Sequence, residues 1–249
     1  MSQYAFGAGA LIGTKIVASG VATPRQFATL QEASVEFSFN VKELMGNQQF
    51  PVAVARGAGK ISGKAKFANM NAGAINDLFF DGTVATGEAK VAYNEAGTPT
   101  TNSLTVANSA TWVEDLAVFN RTTGRFMDKV VSAPATGQYS VAAGVYTFAA
   151  ADSNPPVYVT YRYTTAVAPG KIITINNQLL GVQPTFSVVL STRFTHADGV
   201  TREMNFKLNS CMSSKLSLAT KLEDFIVPDF DFQAFADNAG TIGTLSIAE

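Results

Sequence analysis

Two segments near the start of the chain alternate apolar and polar residues with a two-residue period. The apolar positions of the first segment are Val35, Phe37, Phe39 and Val41, each followed by a polar or charged residue. In the second segment, residues 59–67, Ile61, Ala65 and Phe67 share one face with two glycines, and lysines dominate the other face. This period indicates strands with one buried and one solvated face, and lysines on a strand discourage unwanted edge pairing.

The segment between these strands, at about residues 44–57, departs from the alternation. Gly46 and Pro51 interrupt the pattern, whereas Phe50, Val52 and Val54 add apolar side chains. Interruptions of this kind are typical of a turn or an irregular connection. The pattern therefore predicts a long loop or an extended hairpin.

A helical period replaces the strand period at residues 71–81. Ala74, Ile75, Leu78 and Phe79 recur at helical spacing. Asn71 is a suitable N-cap and Gly82 a suitable end. We expect one α-helix at about residues 71–81.

The rest of the chain consists of short apolar runs separated by Gly, Pro, Asn and Asp, as expected for strands and turns. The runs cover residues 84–93, 110–120, 126–131, 157–163, 171–180, 185–195 and 200–208. Asp198-Gly199 predicts a hairpin turn, and residues 228–247 repeat the arrangement of two runs around a turn. The predicted fold class is mainly β, a β-sandwich or barrel with one flanking helix.

Domain organisation follows from length and from the least regular stretch. A chain of 249 residues fits one large all-β domain or two small ones. The irregular segment at about residues 132–156, which contains Pro134, Gly137 and Gly144, would link two lobes. We expect a single domain over residues 1–249.

Composition excludes several classes of protein. Charged residues make up 15% of the chain and the net charge is -1 without a cationic block, which disfavours tight nucleic-acid binding. The single Cys211 rules out an intrachain disulfide, and we expect a small buried side chain in a protein assembled in a reducing cytoplasm. The first residues resemble no secretory signal, and no apolar run is long enough for a membrane span.

Candidate chemistry is sparse. His196, the only histidine, lies beside the predicted turn, where an exposed position is expected. The neighbouring carboxylates Glu114-Asp115 and Glu223-Asp224 point to opposite faces in a strand, so we expect solvated surface charges. The glycines at 7–13 follow no strand, which argues against a dinucleotide-binding turn. We predict no catalytic, cofactor-binding or metal-binding residues, and no enzyme activity.

Several stretches resemble the major tail tube protein of long-tailed, siphovirus-type bacteriophages. They are MSQYAFGAGALIGTK, TPRQFATLQEASVEFSFNVKELMGNQQFPVAVARGAGKISGKAKFA, NAGAINDLFFDG, ITINNQLLGVQPTFSVVL and IVPDFDFQAFADNAG. Together they span the chain, and the resemblance rests on their order and co-occurrence. It implies a β-sandwich or closed barrel with one flanking helix, without an added immunoglobulin-like domain.

The resemblance also implies a function. Such proteins form hexameric rings that stack into the hollow tube through which phage DNA is ejected, so the expected location is the virion after assembly in the host cytoplasm. Expected partners are the chain itself, a tape measure protein and tail terminator or tip proteins. DNA would pass through without specific binding, no membrane would be involved and no cofactor is needed. We expect pore-facing carboxylates to outnumber lysines and arginines.

Two other functions fit a mainly-β chain. One is a secreted or adhesin-like carbohydrate-binding β-sandwich that uses aromatic residues as a platform, and the other is a hydrolase on a β-barrel. Missing export signals argue against the first, and a missing nucleophile constellation argues against the second.

If the chain assembles with itself, apolar side chains outside the regular strands are candidates for the contacts between subunits. We expect Phe50, Val52 and Val54 to pack on an adjacent subunit or ring, together with an N-terminal segment that includes Phe6, Leu11 and Ile12. A loop packed on its own subunit is the alternative.

Overall fold

Strand residues far outnumber helical residues, 58% against 7%. The computed structural model describes residues 7, 9–27, 29–69, 71–167, 170–195, 199–220 and 222–247. Its strands are β1 Ala10–Lys15, β2 Arg25–Phe27, β3 Leu30–Met45, β4 Pro51–Phe67, β5 Thr83–Thr86, β6 Glu88–Gly97, β7 Ser103–Thr105, β8 Trp112–Asn120, β9 Arg125–Phe126, β10 Asp128–Lys129, β11 Gln138–Ala142, β12 Val145–Phe148, β13 Val157–Thr165, β14 Lys171–Thr174, β15 Thr185–Thr195, β16 Thr201–Ser217, β17 Asp229–Phe235 and β18 Gly243–Ile247. The mainly-β prediction is confirmed, and the sheets of the described part form no closed barrel.

The chain divides into two compact units. Unit 1 comprises Met1–Thr83 and Ile173–Glu249, and unit 2, Val84–Ile172, is inserted between them in sequence. The chain passes from unit 1 to unit 2 within β5 and returns within β14, and these two strands pair with each other. Compactness alone does not show that either unit folds by itself, so the single domain stays a prediction.

The segment at about residues 132–156 is more regular than expected and lies inside unit 2. It contains β11 and β12, which pair in antiparallel register from Tyr139↔Phe148 to Ala142↔Val145. Ala143 and Gly144, which join them, both have positive φ, as a two-residue hairpin turn requires. The strands are too short to show a period in the sequence.

Unit 1 is built on an eight-stranded sheet with the order β2-β1-β15-β16-β17-β4-β3, and β18 also pairs with β16. Its core contains Leu11, Phe27, Ala65, Phe67, Leu78, Phe186, Val188, Leu208, Cys211, Phe230 and Phe232. Cys211 is free and fully buried, as expected, and burial raises the pKa of its thiol to about 12.

The predicted helix is present. An α-helical turn, α1 Ala72–Ile75, continues as a π-helical turn, Asn76–Phe80. Asn71 caps its start, because its Oδ1 accepts bonds from the Gly73 and Ala74 amides at 2.9 and 3.2 Å. It ends at Asp81, whose φ is 49°, rather than at Gly82.

One of the two predicted C-terminal hairpins forms. β15 and β16 pair up to Thr195↔Thr201, although His196 and Asp198 lie outside the described residues. The second expectation was wrong, because β17 and β18 both pair with β16 and not with each other. With 17 residues, β16 is long enough to hold the two strands one after the other.

Unit 2 contains two four-stranded sheets, with the orders β6-β13-β8-β9 and β10-β11-β12-β7. Pairing is antiparallel except between β10 and β11. Val106, Val118, Met127, Tyr139, Tyr146, Phe148, Val157, Val159 and Tyr161 form its core.

Candidate interaction surface

The β3–β4 pair continues beyond the strands that flank it. β4 pairs with β17 only from Ile61 to Lys66, whereas residues 51–60 pair with β3 alone. Residues 38–60 therefore form a two-stranded ribbon, here called the arm. At about 3.3 Å per residue its β4 strand is about 33 Å long. Of the two predicted forms of this segment, the extended hairpin is the one present.

The two faces of the arm differ in chemistry. Cross-strand partners lie on the same face, and the register pairs Phe39 with Gly59, Val41 with Arg56 and Glu43 with Val54. An extra residue on β4 at positions 57–58 keeps these faces aligned, as a β-bulge does. One face, called the apolar face, carries Phe37, Phe39, Val41, Met45, Val52 and Val54, together with two charged residues, Glu43 and Arg56. The Arg56 guanidinium lies over the Phe39 ring, 4.1 Å from its centre. The other face carries Ser38, Asn40, Lys42, Leu44, Ala53, Ala55 and Lys60.

The apolar face is a continuation of the side of the sheet that faces the core. Val35 and Ile61, at the base of the arm, pack against the unit 1 core. Farther out the core ends while the apolar pattern continues, so that Val54 is 60% exposed, Val52 72% and Phe50, in the turn, 80%. Side chains patterned for burial therefore lie in solvent.

A groove of about 570 Å³ lies at the base of the arm. Phe37, Phe39 and Ile61 form one wall, and Phe206 and Ile242 contribute to the other. Phe37 and Phe206 meet edge to face with ring centroids 5.6 Å apart, a favourable aromatic geometry. The groove extends the apolar face toward β16 and β18.

Half of the residues predicted for self-assembly lie together on the arm, and the others do not. Phe6 lies outside the described residues. Leu11 is only 1% exposed and belongs to the unit 1 core, so that its predicted contact with a neighbour is wrong. The reason is that β1 is an internal strand, paired with both β2 and β15. Ile12, on the opposite side of β1, is partly buried.

Unit 2 holds a buried carboxylate where a solvated one was expected. Glu114 and Asp115 do point to opposite faces, and Glu114 is exposed in an ion pair with Arg162. Asp115, however, has a side chain only 3% exposed. It accepts hydrogen bonds from the Tyr139 hydroxyl at 2.6 Å and the Tyr146 hydroxyl at 3.0 Å.

This carboxylate–tyrosine cluster was missed because alternation does not say which of two adjacent carboxylates faces inward. Burial, and then the hydrogen bond to Asp115, raise the pKa of Tyr139. Burial also raises the pKa of Tyr146. The arrangement satisfies a buried charge with two hydroxyl donors and with the Lys129 ammonium group, 3.5 Å from the carboxylate. In contrast, Glu223 and Asp224 are exposed, as expected.

Within the described ranges, no three His, Cys, Asp or Glu side chains are grouped to hold a metal ion, and no helix is long and apolar enough to cross a membrane.

No protein-family model and no curated protein matches the chain. The geometry of the arm is therefore the main structural guide to function.

Proposed function

We propose that this chain is the structural subunit of a phage tail tube, which forms hexameric rings that stack into a hollow conduit for DNA. The observation that carries the proposal is the apolar face of the arm. The resemblance of the sequence to tail tube proteins supplies the type of assembly, and the arm supplies a surface that needs a partner.

The arm is poorly suited to remain in solvent. Isolated two-stranded ribbons are marginally stable in water, and contiguous exposed apolar surface marks interaction sites. Full burial of one Val, Met or Phe side chain contributes about 1.5–3 kcal/mol. The six side chains of the apolar face are roughly half exposed, so covering them stabilises a contact by on the order of 5–10 kcal/mol before the costs of association.

Repetition of such a contact suits a ring and a stack. An arm that docks on a different surface of its neighbour makes a heterologous contact, which generates rings or open-ended assemblies. The outer edges of β2, β3 and β18 also offer backbone groups, and assembly at these edges removes the aggregation hazard of open strands. Tape measure and terminator or tip proteins are the further partners of this proposal.

The decisive test changes one face of the arm at a time. We expect Val52→Ser with Val54→Ser to abolish the tubes and rings that the unchanged protein forms in electron micrographs. Ala53→Ser with Ala55→Ser is the matched control, because these neighbouring residues are also exposed and lie on the opposite face. The control should assemble normally, and both variants should retain the circular dichroism spectrum of the parent.

A shortened arm gives a second test. Replacement of residues 43–54 by Asn-Gly leaves a two-residue turn closed by the Lys42↔Ala55 pair. The variant should fold, because the removed residues pair with no other strand of the sheet, and it should not polymerise. Tubes of normal length from this variant, or no assembly by the unchanged protein, would contradict the proposal.

A carbohydrate-binding role is the second candidate, and it rests on unit 2. Tyr93 and Phe126 are 79% and 73% exposed, and the Arg121 guanidinium lies 4.7 Å from the ring centre of Tyr158. Exposed aromatic rings are suitable for stacking on sugars. Binding of the chain to a glycan array, lost in Tyr93→Ala and Phe126→Ala, would favour this role.

A further inference from the structure

Unit 1 has a second set of exposed apolar side chains, well separated from the arm along the strands. These side chains lie in three connections, residues 16–24, 175–184 and 218–228. They are Val21, Leu179, Leu180, Leu222 and Phe225, each more than four fifths exposed. We call them the loop patch.

The sheet register brings these three connections to one end of the sheet. Residue Ile16, just after β1, donates its amide to the Thr185 carbonyl at 2.7 Å, at the start of β15. Residue Thr185 pairs with Met212, near the end of β16, and Ser217 pairs with Asp229 at the start of β17. The chain therefore leaves β1, enters β15 and turns from β16 to β17 at the same end.

The tip of the arm lies at the opposite end. β4 runs toward the loop patch, since Lys66 pairs with Asp229, so its first residue, Pro51, lies at the far end. The pair Thr195↔Thr201, where β15 ends and β16 begins, is at that far end too. Unit 1 thus exposes apolar side chains at both ends of one sheet, and the two sets cannot cover each other within one molecule.

We propose that the arm of one copy packs against the loop patch of the next copy. This inference rests on the proposed function and names the surface that receives the arm. A contact between opposite ends is heterologous and leaves one free arm and one free loop patch at the two ends of any open-ended assembly. It therefore propagates in one direction, which is what a growing tube requires.

Charge supports this pairing over a contact between two arms. Residues 38–60 contain Lys42, Arg56 and Lys60 against one carboxylate, Glu43. Glu43 and Arg56 lie on the apolar face, and the two lysines lie on the other face of the ribbon. The connection at residues 218–228 contains Glu223 and Asp224 against one lysine. Opposite net charges favour arm on loop patch, whereas two arms would bring like charges together.

The test combines two variants that each lack one surface. The arm variant is Val52→Ser with Val54→Ser, and the loop variant is Leu179→Ser, Leu180→Ser and Phe225→Ser. Neither variant should polymerise alone. An equimolar mixture should form a complex with twice the mass of the particle that either variant forms by itself, measured by light scattering after size-exclusion chromatography. Growth should stop there, because the two outer surfaces of that complex are both inactive.

A charge variant tests the same contact without removing apolar surface. Glu223→Lys should slow polymerisation, and the effect should be larger at low salt because salt screens exposed charges. This variant keeps the inference testable if the triple substitution unfolds the chain, which circular dichroism would reveal.

The possible failures are distinguishable. Normal polymers from the loop variant, closed dimers of the loop variant through its arms, or no complex in the mixture would overturn the inference and leave the proposed function standing. A Glu223→Lys chain that polymerises at the normal rate at low salt would also count against it. Unchanged protein that never assembles would overturn the proposed function itself.

Discussion

Gly63 of β4 shows how tightly the base of the arm is packed. A methyl group at this position would lie 2.2 Å from Cζ of Phe232, well inside van der Waals contact. The Phe232 ring is 1% exposed, and it is held between the Phe186 and Phe230 rings, whose centroids are 6.3 and 5.9 Å away. Because the ring is buried among other aromatic rings, it cannot turn aside into solvent.

Gly63→Ala should therefore destabilise unit 1. Overpacking of a well-filled core costs about 1–3 kcal/mol, and the lower chain entropy of alanine offsets about 0.5–1 kcal/mol. The net loss is about 1–2 kcal/mol, which lowers the melting temperature of a domain of this size by about 2–8 °C.

Gly59→Ala is the matched control. Gly59 lies four residues away on the same face of β4, and a methyl group there would be 2.8 Å from Cε1 of Phe39. The Phe39 ring is 44% exposed, and its only cationic neighbour among the described residues is the exposed Arg56 guanidinium, 4.1 Å from the ring centre, so we expect the ring to turn aside into solvent. The change in stability should stay within about 0.5 kcal/mol. Thermal and urea unfolding followed by circular dichroism measure both variants, and equal melting temperatures would refute the argument from a fixed Phe232 ring.

Three further predictions concern charge and hydrogen bonds. Tyr139→Phe removes one hydroxyl from the buried Asp115 carboxylate and should cost about 1.5–3 kcal/mol in thermal unfolding, whereas Tyr93→Phe, on the surface, should cost nothing measurable. The pKa of Asp237 is lowered from 3.8 because the Thr241 amide donates a hydrogen bond to its carboxylate. The carboxylate therefore contributes fully to the free energy of unfolding above pH 3.8, and this contribution is lost as the pH falls through the lower pKa of the folded state. The loss of stability caused by Asp237→Asn should accordingly be smaller in acid than at neutral pH. In assembled tubes, carboxylates should outnumber lysines and arginines along the pore, and a net positive inner wall in a cryo-electron microscopy map would disprove this.

Local patterns predicted the elements whose causes are local. Alternation at residues 35–41 and 59–67 identified the paired strands, and Asn71 identified the helix start because an N-cap acts within three residues. Gly59 and Gly63 were assigned to the core-facing side of β4, and the rings of Phe39 and Phe232 now account for both. These features depend on the spacing of apolar residues and on residues close in sequence, and both can be read from one sequence.

Long-range features could not be obtained in this way. The insertion of unit 2 between residues 83 and 173 depends on which strands pair. β5 and β14 are too short for their pairing to be recognised from an apolar period in the sequence. The burial of Asp115 depends on two tyrosines 24 and 31 residues away in sequence. Leu11 was assigned to an interface because it is near the chain start, although its strand is internal to the sheet.

The arm shows why an apolar period in a sequence identifies burial without identifying the molecule that provides it. Phe37 and Val54 belong to one apolar face, yet only the base of that face reaches the core of its own unit. A pattern that served the fold alone would lose its apolar side chains where the core ends, since exposed valine and phenylalanine favour aggregation. Here Val41, Val52 and Val54 continue the pattern toward the tip of the ribbon, interrupted on that face by Glu43 and Arg56. We therefore attribute to assembly the part of the apolar pattern that continues past the core, toward the tip of the arm. Substitutions between Gly59 and the tip should affect polymer formation more than folding.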